Sequence, residues 1–291
     1  MSHSPLRAPA AAPASDWLSV ITPAEPDGAV LRVDQDHPFF FDHPLDHVPG
    51  MLLVTGLLDL ARARAGVTSG GHATRLRLRF LRMCELEGRI SLRADPVRGG
   101  PRGAFAVQAV QDDATVCEGT VELTPAAHGD PGPGGRGGPV PVRPVTRDLV
   151  HRADAWNVVL GDLVVTPERY EARLLSPPAG HFLLRHGAGT RAAEEIVESG
   201  RQLITAAMHL THGRPRDTAM LWLTLTADLP ALTRHPAPLA LRWETTPPRG
   251  DRAAFDIAVL SGDTRVGTLA YATKCMTPAG YARFRATRRA A

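Results

Sequence analysis

The stretch from Ala126 to Pro144, AAHGDPGPGGRGGPVPVRP, constrains this chain more than any other. Glycine and proline at that density hold no helix and bury little apolar area. The segment therefore reads as a linker, taken here as residues 126–148. It divides the 291 residues into two blocks of similar size, 17–125 and 149–291. The Ala/Pro/Ser-rich residues 1–16 ahead of them read as a disordered tail without the apolar run of a signal peptide.

Both blocks follow one order. In the first, a strand-like stretch (29–33) leads into a polar loop carrying His37, His43 and His47. The leucine-rich residues 50–65 then read as a helix, opened by Pro49 and stopped by Gly66. Residues 74–80, TRLRLRF, alternate arginine with apolar side chains at the period of a half-buried strand. Further strands are expected at 89–94, 104–110 and 115–123. In the second block a strand (170–174) leads to a loop with His181 and His186. A helix (190–210) and strands at 219–226, 239–244, 255–260 and 265–272 follow, and a short basic tail (278–289) reads as helical. One long helix followed by consecutive antiparallel strands is an α+β arrangement, a curved sheet wrapped round its helix. That is the hotdog unit. Two per chain, paired edge to edge, give a tandem double hotdog in which each covers an edge strand of the other.

Composition narrows the function. The formal charge of +3 is spread along the chain, which argues against a nucleic-acid partner. No stretch approaches the roughly 20 apolar residues of a membrane helix. Cys84, Cys117 and Cys275 are odd in number and widely spaced, as expected of free thiols in a cytoplasmic protein.

The motifs go further. The run from His37 through Asp46-His47-Val48-Pro49-Gly50-Met51-Leu52-Leu53 resembles the signature of the A-factor biosynthesis (AfsA-type) family. It is also similar, more loosely, to β-hydroxyacyl-carrier-protein dehydratases. Glu198-Ser-Gly-Arg201-Gln202 resembles the family's Glu-x-x-Arg-Gln motif, and Thr277-Pro-Ala-Gly-Tyr281 resembles the close of that repeat. Two departures stand out. The repeat bearing only Glu-x-x-Arg-Gln comes second here, whereas the family pattern places it first. In the DHVPGM repeat, Thr55 and Leu58 stand where that pattern has the acid and the arginine.

The resemblance implies an acyltransferase that moves a β-ketoacyl group from an acyl carrier protein or coenzyme A thioester to a hydroxyl of dihydroxyacetone phosphate, on the way to a butenolide or γ-butyrolactone signal. This chemistry needs no cofactor. It needs donors that polarise the thioester carbonyl, and the N–H groups of Gly50 and Met51 at a helix N-terminus are suited to that. It needs a base, for which Glu198 is the candidate, and a cation for the acceptor phosphate, for which Arg201 is. Gln202 would orient the pair or the substrate. The plain alternative is that Glu198 and Arg201 form an exposed helical ion pair. His47, with Asp46 beside it, reads either as a general acid/base or as a structural loop residue. His43 and Thr55 are further candidates for holding substrate. A metal is disfavoured, because Pro44 and Pro49 argue for a loop and no third ligand accompanies the two histidines. His37 and His181 would fix loop geometry, and Asp59 is expected to face solvent. Arg75, Arg77 and Arg79 read as a solvated strand face, or as a dock for an acidic carrier protein. Two other readings stay open: a hotdog dehydratase or lyase recruited to natural-product assembly, and a non-catalytic acyl-ligand module. The chain could act as a monomer or a homodimer.

Overall fold

The structure is a computed structural model that describes residues 18–24, 28–67, 72–125, 142–187, 189–233 and 239–289. Twelve strands form one continuous antiparallel sheet. The first half supplies β1 (Ile21–Ala24), β2 (Gly28–Leu31), β3 (His72–Phe80), β4 (Ile90–Pro96), β5 (Ala104–Gln111) and β6 (Ala114–Pro125). The second half supplies β7 (Leu160–Val165), β8 (Arg169–Leu174), β10 (Ala219–Leu229), β12 (Leu239–Glu244), β13 (Arg252–Ser261) and β14 (Thr264–Met276). Their order is β1-β2-β4-β5-β6-β3-β10-β14-β13-β12-β8-β7, so the second half repeats the first in reverse about the β3–β10 seam. A two-stranded ribbon joins β9 (Thr190–Arg191) to β11 (Leu232–Thr233).

This is the tandem double hotdog expected. At the seam β3 and β10 pair from Thr224 opposite Arg79 to Leu229 opposite Thr74. The arginines alternating along β3 stay on the outer face, where Arg75 and Arg79 meet Glu122, Asp228 and Glu118, while Leu76 and Leu78 point inward and are buried.

Each half wraps its sheet round one helix, α1 (Gly50–Ala65) and α2 (Ala193–Leu210). In α1 every residue from Met51 to Leu58 is buried, as a helix apolar on all sides must be. Gly66 ends it in the left-handed conformation, φ 63°, with its own N–H on the Ala63 carbonyl and that of Val67 on the Arg62 carbonyl. The basic tail forms α3 (Pro278–Arg289), the last described element. No described helix is long and apolar enough to cross a bilayer.

The structure departs from the sequence expectations at three places. α2 starts at Ala193 rather than residue 190, because Thr190 and Arg191 are drawn into the ribbon with β11. Residues 142–148, read as the end of the linker, are ordered: Val145 donates to the Leu160 carbonyl and Asp162 to that of Arg143. The tail 1–16 and residues 126–141 lie outside the described residues. β1 and β7, the two outermost strands, were not foreseen.

Close helix–sheet packing makes one prediction. A Cβ on Gly200, mid-way along α2, would lie 2.5 Å from the Tyr271 hydroxyl oxygen, which itself donates to the Val197 carbonyl at 2.7 Å. Alanine suits a helix better than glycine by about 1 kcal/mol, but overpacking costs about 1–3 kcal/mol. Gly200→Ala should therefore lower, not raise, the midpoint of denaturant unfolding.

Candidate active site

β10 begins before β3 can reach it. Residues 219–222 pair with β14 alone, because the pairing of β3 with β10 starts only at Arg79 opposite Thr224. The gap opens into a cleft of about 690 Å³ that runs down to the start of α1. One wall is the loop from His43 to Pro49 and the other is Arg201, Ile204 and Thr205 of α2, so both halves contribute. Trp222 lies over the floor. A Cβ on Gly50 would come within 2.9 Å of its ring, which is why glycine must open the helix here. Pro49 gives α1 no side-chain cap, so the first N–H groups of the helix, those of Gly50 and Met51, are left to a ligand. Arg82, Arg252 and Lys274 give the mouth a positive rim.

Two histidine–carboxylate pairs line the loop wall. His43 Nδ1 lies 2.6 Å from Asp42 Oδ1, and His47 Nδ1 lies 2.8 Å from Asp46 Oδ1. The Asp42 side chain is buried, with the Asn157 amide donating to Oδ2 at 3.1 Å and Arg152 lying 3.5 Å from Oδ1. Burial alone would push its carboxyl up. The bond to His43 and the Arg152 charge prevail and bring it to about 2. Asp46 is held below its ordinary value as well: burial is outweighed by bonds from His47 and Tyr281.

Glu198 lies behind the opposite wall and is fully buried. Arg201 donates to its carboxylate through Nε and Nη2, both at 2.8 Å, Gln202 donates at 2.7 Å, and Arg152 approaches at 2.8 Å. Burial would raise this carboxyl too, yet the charges of Arg152 and Arg201 carry it to about 2. So saturated with donors and set back from the cleft, this carboxylate is poorly placed to take a proton from a substrate alcohol. Glu198, expected as the general base, instead anchors two arginines in the structure. Arg201 keeps 18% of its side chain exposed and lines the cleft, whereas Arg152 reaches on to the Phe39 carbonyl at 2.7 Å.

Gln202, Thr55, His37 and His181 lie outside the cleft lining. Gln202 bridges Glu198, the Val159 N–H and the Asn157 carbonyl inside the protein and does not line the cleft. Thr55 is buried in the core, its hydroxyl without a partner, so it does not hold substrate in this cleft. His37 and His181 order their loops, each accepting backbone N–H bonds through Nδ1, from Phe39 and from Leu183. Three cleft residues carried no sequence signal. Arg152 and His151 follow directly on the linker, and Thr218 precedes β10. The His151 ring meets that of His209, Nε2 to Nε2 at 2.8 Å. Cys84 also lines the cleft, but burial pushes its thiol up to about 12, so it is no nucleophile.

The pseudo-equivalent place at the start of α2 is filled. Glu194 accepts both Arg62 Nη1 and Nη2, at 2.6 and 2.8 Å, and Arg185 Nη2 at 2.6 Å. Asp59, expected to face solvent, is instead drawn in by Arg62 at 3.1 Å and Arg185 at 3.0 Å, beside His186 at 3.3 Å. Asp59, His186 and Glu194 offer atoms within 4.8 Å of one another. The two guanidiniums bond to both carboxylates and bring positive charge against the set, which disfavours a metal ion there.

These charges set a pH dependence. His181 and His151 are held near 4 and 3, first by burial and then by nearby arginines, so they are neutral when folded. The unfolded chain takes up those protons below about pH 6.5 and the folded one does not, so stability falls from there. Glu198 and Asp42 add stability above about pH 4.5 that is lost as pH falls towards 2. A melting-temperature profile should decline from about pH 6.5 and steepen below about 4.5; a flat profile from pH 8 to 4 would contradict these assignments.

The comparisons with known proteins agree with this architecture. The model of the A-factor biosynthesis hotdog domain matches residues 18–127 and again 139–277. A 2-oxo-3-(phosphooxy)propyl 3-oxoalkanoate synthase of Streptomyces virginiae is 39% identical over 88 residues, which span 30% of this chain and 30% of that enzyme. Among solved structures, an acyl-CoA thioesterase II from Mycobacterium marinum superposes with a TM-score of 0.58 at 15% identity, covering 92% of this chain and all of its own. The dehydratase domain of RzxB from Pseudomonas fluorescens gives 0.54 at 14% identity, over 86% and 94%. These two likenesses concern the fold.

Proposed function

We propose that this chain, which belongs to the A-factor biosynthesis hotdog family, transfers a β-ketoacyl group from an acyl thioester to the hydroxyl of dihydroxyacetone phosphate or a similar acceptor. The product would enter the making of γ-butyrolactone or butenolide signals or related natural products. The observation that carries this reading is the convergence, in one cleft, of an uncapped helix N-terminus, a histidine paired with a carboxylate, and a buried-backed arginine. The product of the Streptomyces virginiae relative, a 2-oxo-3-(phosphooxy)propyl 3-oxoalkanoate, supports the choice of acceptor.

The geometry supports the following course. The thioester carbonyl oxygen sits at the Gly50 and Met51 N–H groups, where the helix dipole favours the charge that develops in the tetrahedral state. His47, its Nδ1–H on Asp46, takes the acceptor's hydroxyl proton at Nε2. The alkoxide oxygen bonds to the carbonyl carbon, the C–S bond breaks, and the imidazolium returns the proton to the thiolate. Thioester and alcohol thus become ester and thiol. Arg201, oriented by Glu198, meets the acceptor phosphate, and His43, fixed by Asp42, faces the same substrate. The positive rim of Arg82, Arg252 and Lys274 suits a thioester carried on coenzyme A or on an acidic carrier protein.

The test is mass spectrometry of the purified protein with a β-ketoacyl thioester, with and without dihydroxyacetone phosphate. A phosphorylated ester should form only when both are present, and His47→Ala should slow it by about 100-fold or more. Thioester left intact would point to a binding module. Loss of water or hydrolysis independent of the acceptor would point to a lyase or a thioesterase. Either would overturn the proposal.

A further inference from the structure

The closing Thr277-Pro-Ala-Gly-Tyr281 motif has no part in the chemistry above, yet the structure brings it to the active-site loop. Tyr281 stands on the first turns of α3 and lines the cleft. Its hydroxyl donates to Asp46 Oδ1 at 2.7 Å and lies 3.2 Å from His47 Nδ1. One turn on, Arg285 grips Glu85 through both Nη atoms at 2.6 Å and donates to the Asp46 backbone carbonyl at 3.0 Å. Its Nε lies 3.2 Å from Asp46 Oδ2. One face of α3 thus holds both oxygens and the backbone of a single aspartate.

Asp46 needs that support. Unlike Asp42, whose side chain is 1% exposed, Asp46 is 49% exposed. A carboxylate that open turns freely and competes with water for its donors, so it orients an imidazole poorly by itself. Tyr281 and Arg285 supply what burial supplies to Asp42.

We propose that Tyr281 is a positioning residue: by pinning Asp46 it keeps the His47 proton on Nδ1 and the Nε2 lone pair turned to the cleft. With the carboxylate ionised, the two donors, tyrosine O–H and imidazole Nδ1–H, share one acceptor oxygen, and the 3.2 Å between them is an unbonded approach. Burial and then the adjoining Asp46 push the Tyr281 hydroxyl up, so it remains a donor at any physiological pH. The inference deepens the reading of His47 as the base and rests on it. It also gives the C-terminal helix a role in a site whose other parts come from the first half's loop and from α2.

The experiment compares the full-length protein with Tyr281→Phe and Asp46→Asn, each labelled with ¹⁵N-histidine. Long-range ¹H–¹⁵N spectra at a pH where His47 is neutral report which nitrogen carries the proton, and His47→Asn assigns the signal. The unmodified protein should show the Nδ1–H tautomer. Both variants should move towards the Nε2–H form that free imidazole prefers. Phenylalanine keeps the ring beside Phe284, and Arg285 keeps Glu85 in both variants, so a shared result does not come from loss of the helix. With substrates, Tyr281→Phe should lower kcat about tenfold with KM little changed, the weight of one hydrogen bond to a charged acceptor. An unchanged tautomer in Tyr281→Phe would overturn the proposal. Absence of ester formation by the unmodified protein would sink the functional reading, while the spectra would still decide the role of Tyr281.

Discussion

The buried carboxylate of Glu198 is the constraint on which the site depends. Stripped of water, it is tolerable in the interior only with its charge matched and its lone pairs filled. Arg152, Arg201 and Gln202 do both. Arg152 then carries the order across to the first half, through the Phe39 carbonyl and Asp42, into the loop that presents His43 and His47. The geometry of that loop is therefore set by a helix of the other half, and neither half could assemble this cleft alone. A duplicated hotdog within one chain supplies the contact without relying on a second molecule.

Duplication also makes the unequal fate of the two halves plain. His43 lies seven residues ahead of the start of α1, and His186 lies seven ahead of the start of α2. The first faces an open cleft. The second lies in an ion-paired cluster of Asp59, Arg62, Arg185 and Glu194. Thr55 and Leu58 stand in α1 where α2 has Glu198 and Arg201. With a methyl-bearing hydroxyl and a leucine there, α1 carries no counterpart of the Glu198 clamp, and its charged residues fall one turn later, where they close the other end. One half has kept the acid–arginine pair and the other the DHVPGM loop, and the cleft is where the two meet.

Much of this was legible in the sequence. Periodicity and end signals gave α1 residue for residue, because Pro49 and Gly66 act locally. Alternation along β3 told the buried face from the wet one. The strands of the large sheet that escaped notice are outermost and irregular: β1 holds Pro23 among four residues, and β7 bulges between Gly161 and Val164. The site residues were named more readily than their states. An acid on an apolar helix looks solvent-facing until the arginine 126 residues away that binds it is in view, as with Asp59 and Arg185. Glu198 was singled out by its motif, but its partner Arg152 follows a linker and has no pattern of its own. Whether a carboxylate is a base or an anchor depends on such distant partners, which spacing along the chain cannot express.

The most direct test of this account is the unfolding free energy of Glu198→Gln, measured by denaturant titration beside the unmodified protein. An anchor predicts a loss of about 3–5 kcal/mol, since the amide leaves two buried guanidiniums without their counter-charge. A variant that unfolds at the same denaturant concentration as the unmodified protein, yet has lost its turnover, would contradict the account and return Glu198 to the role of base.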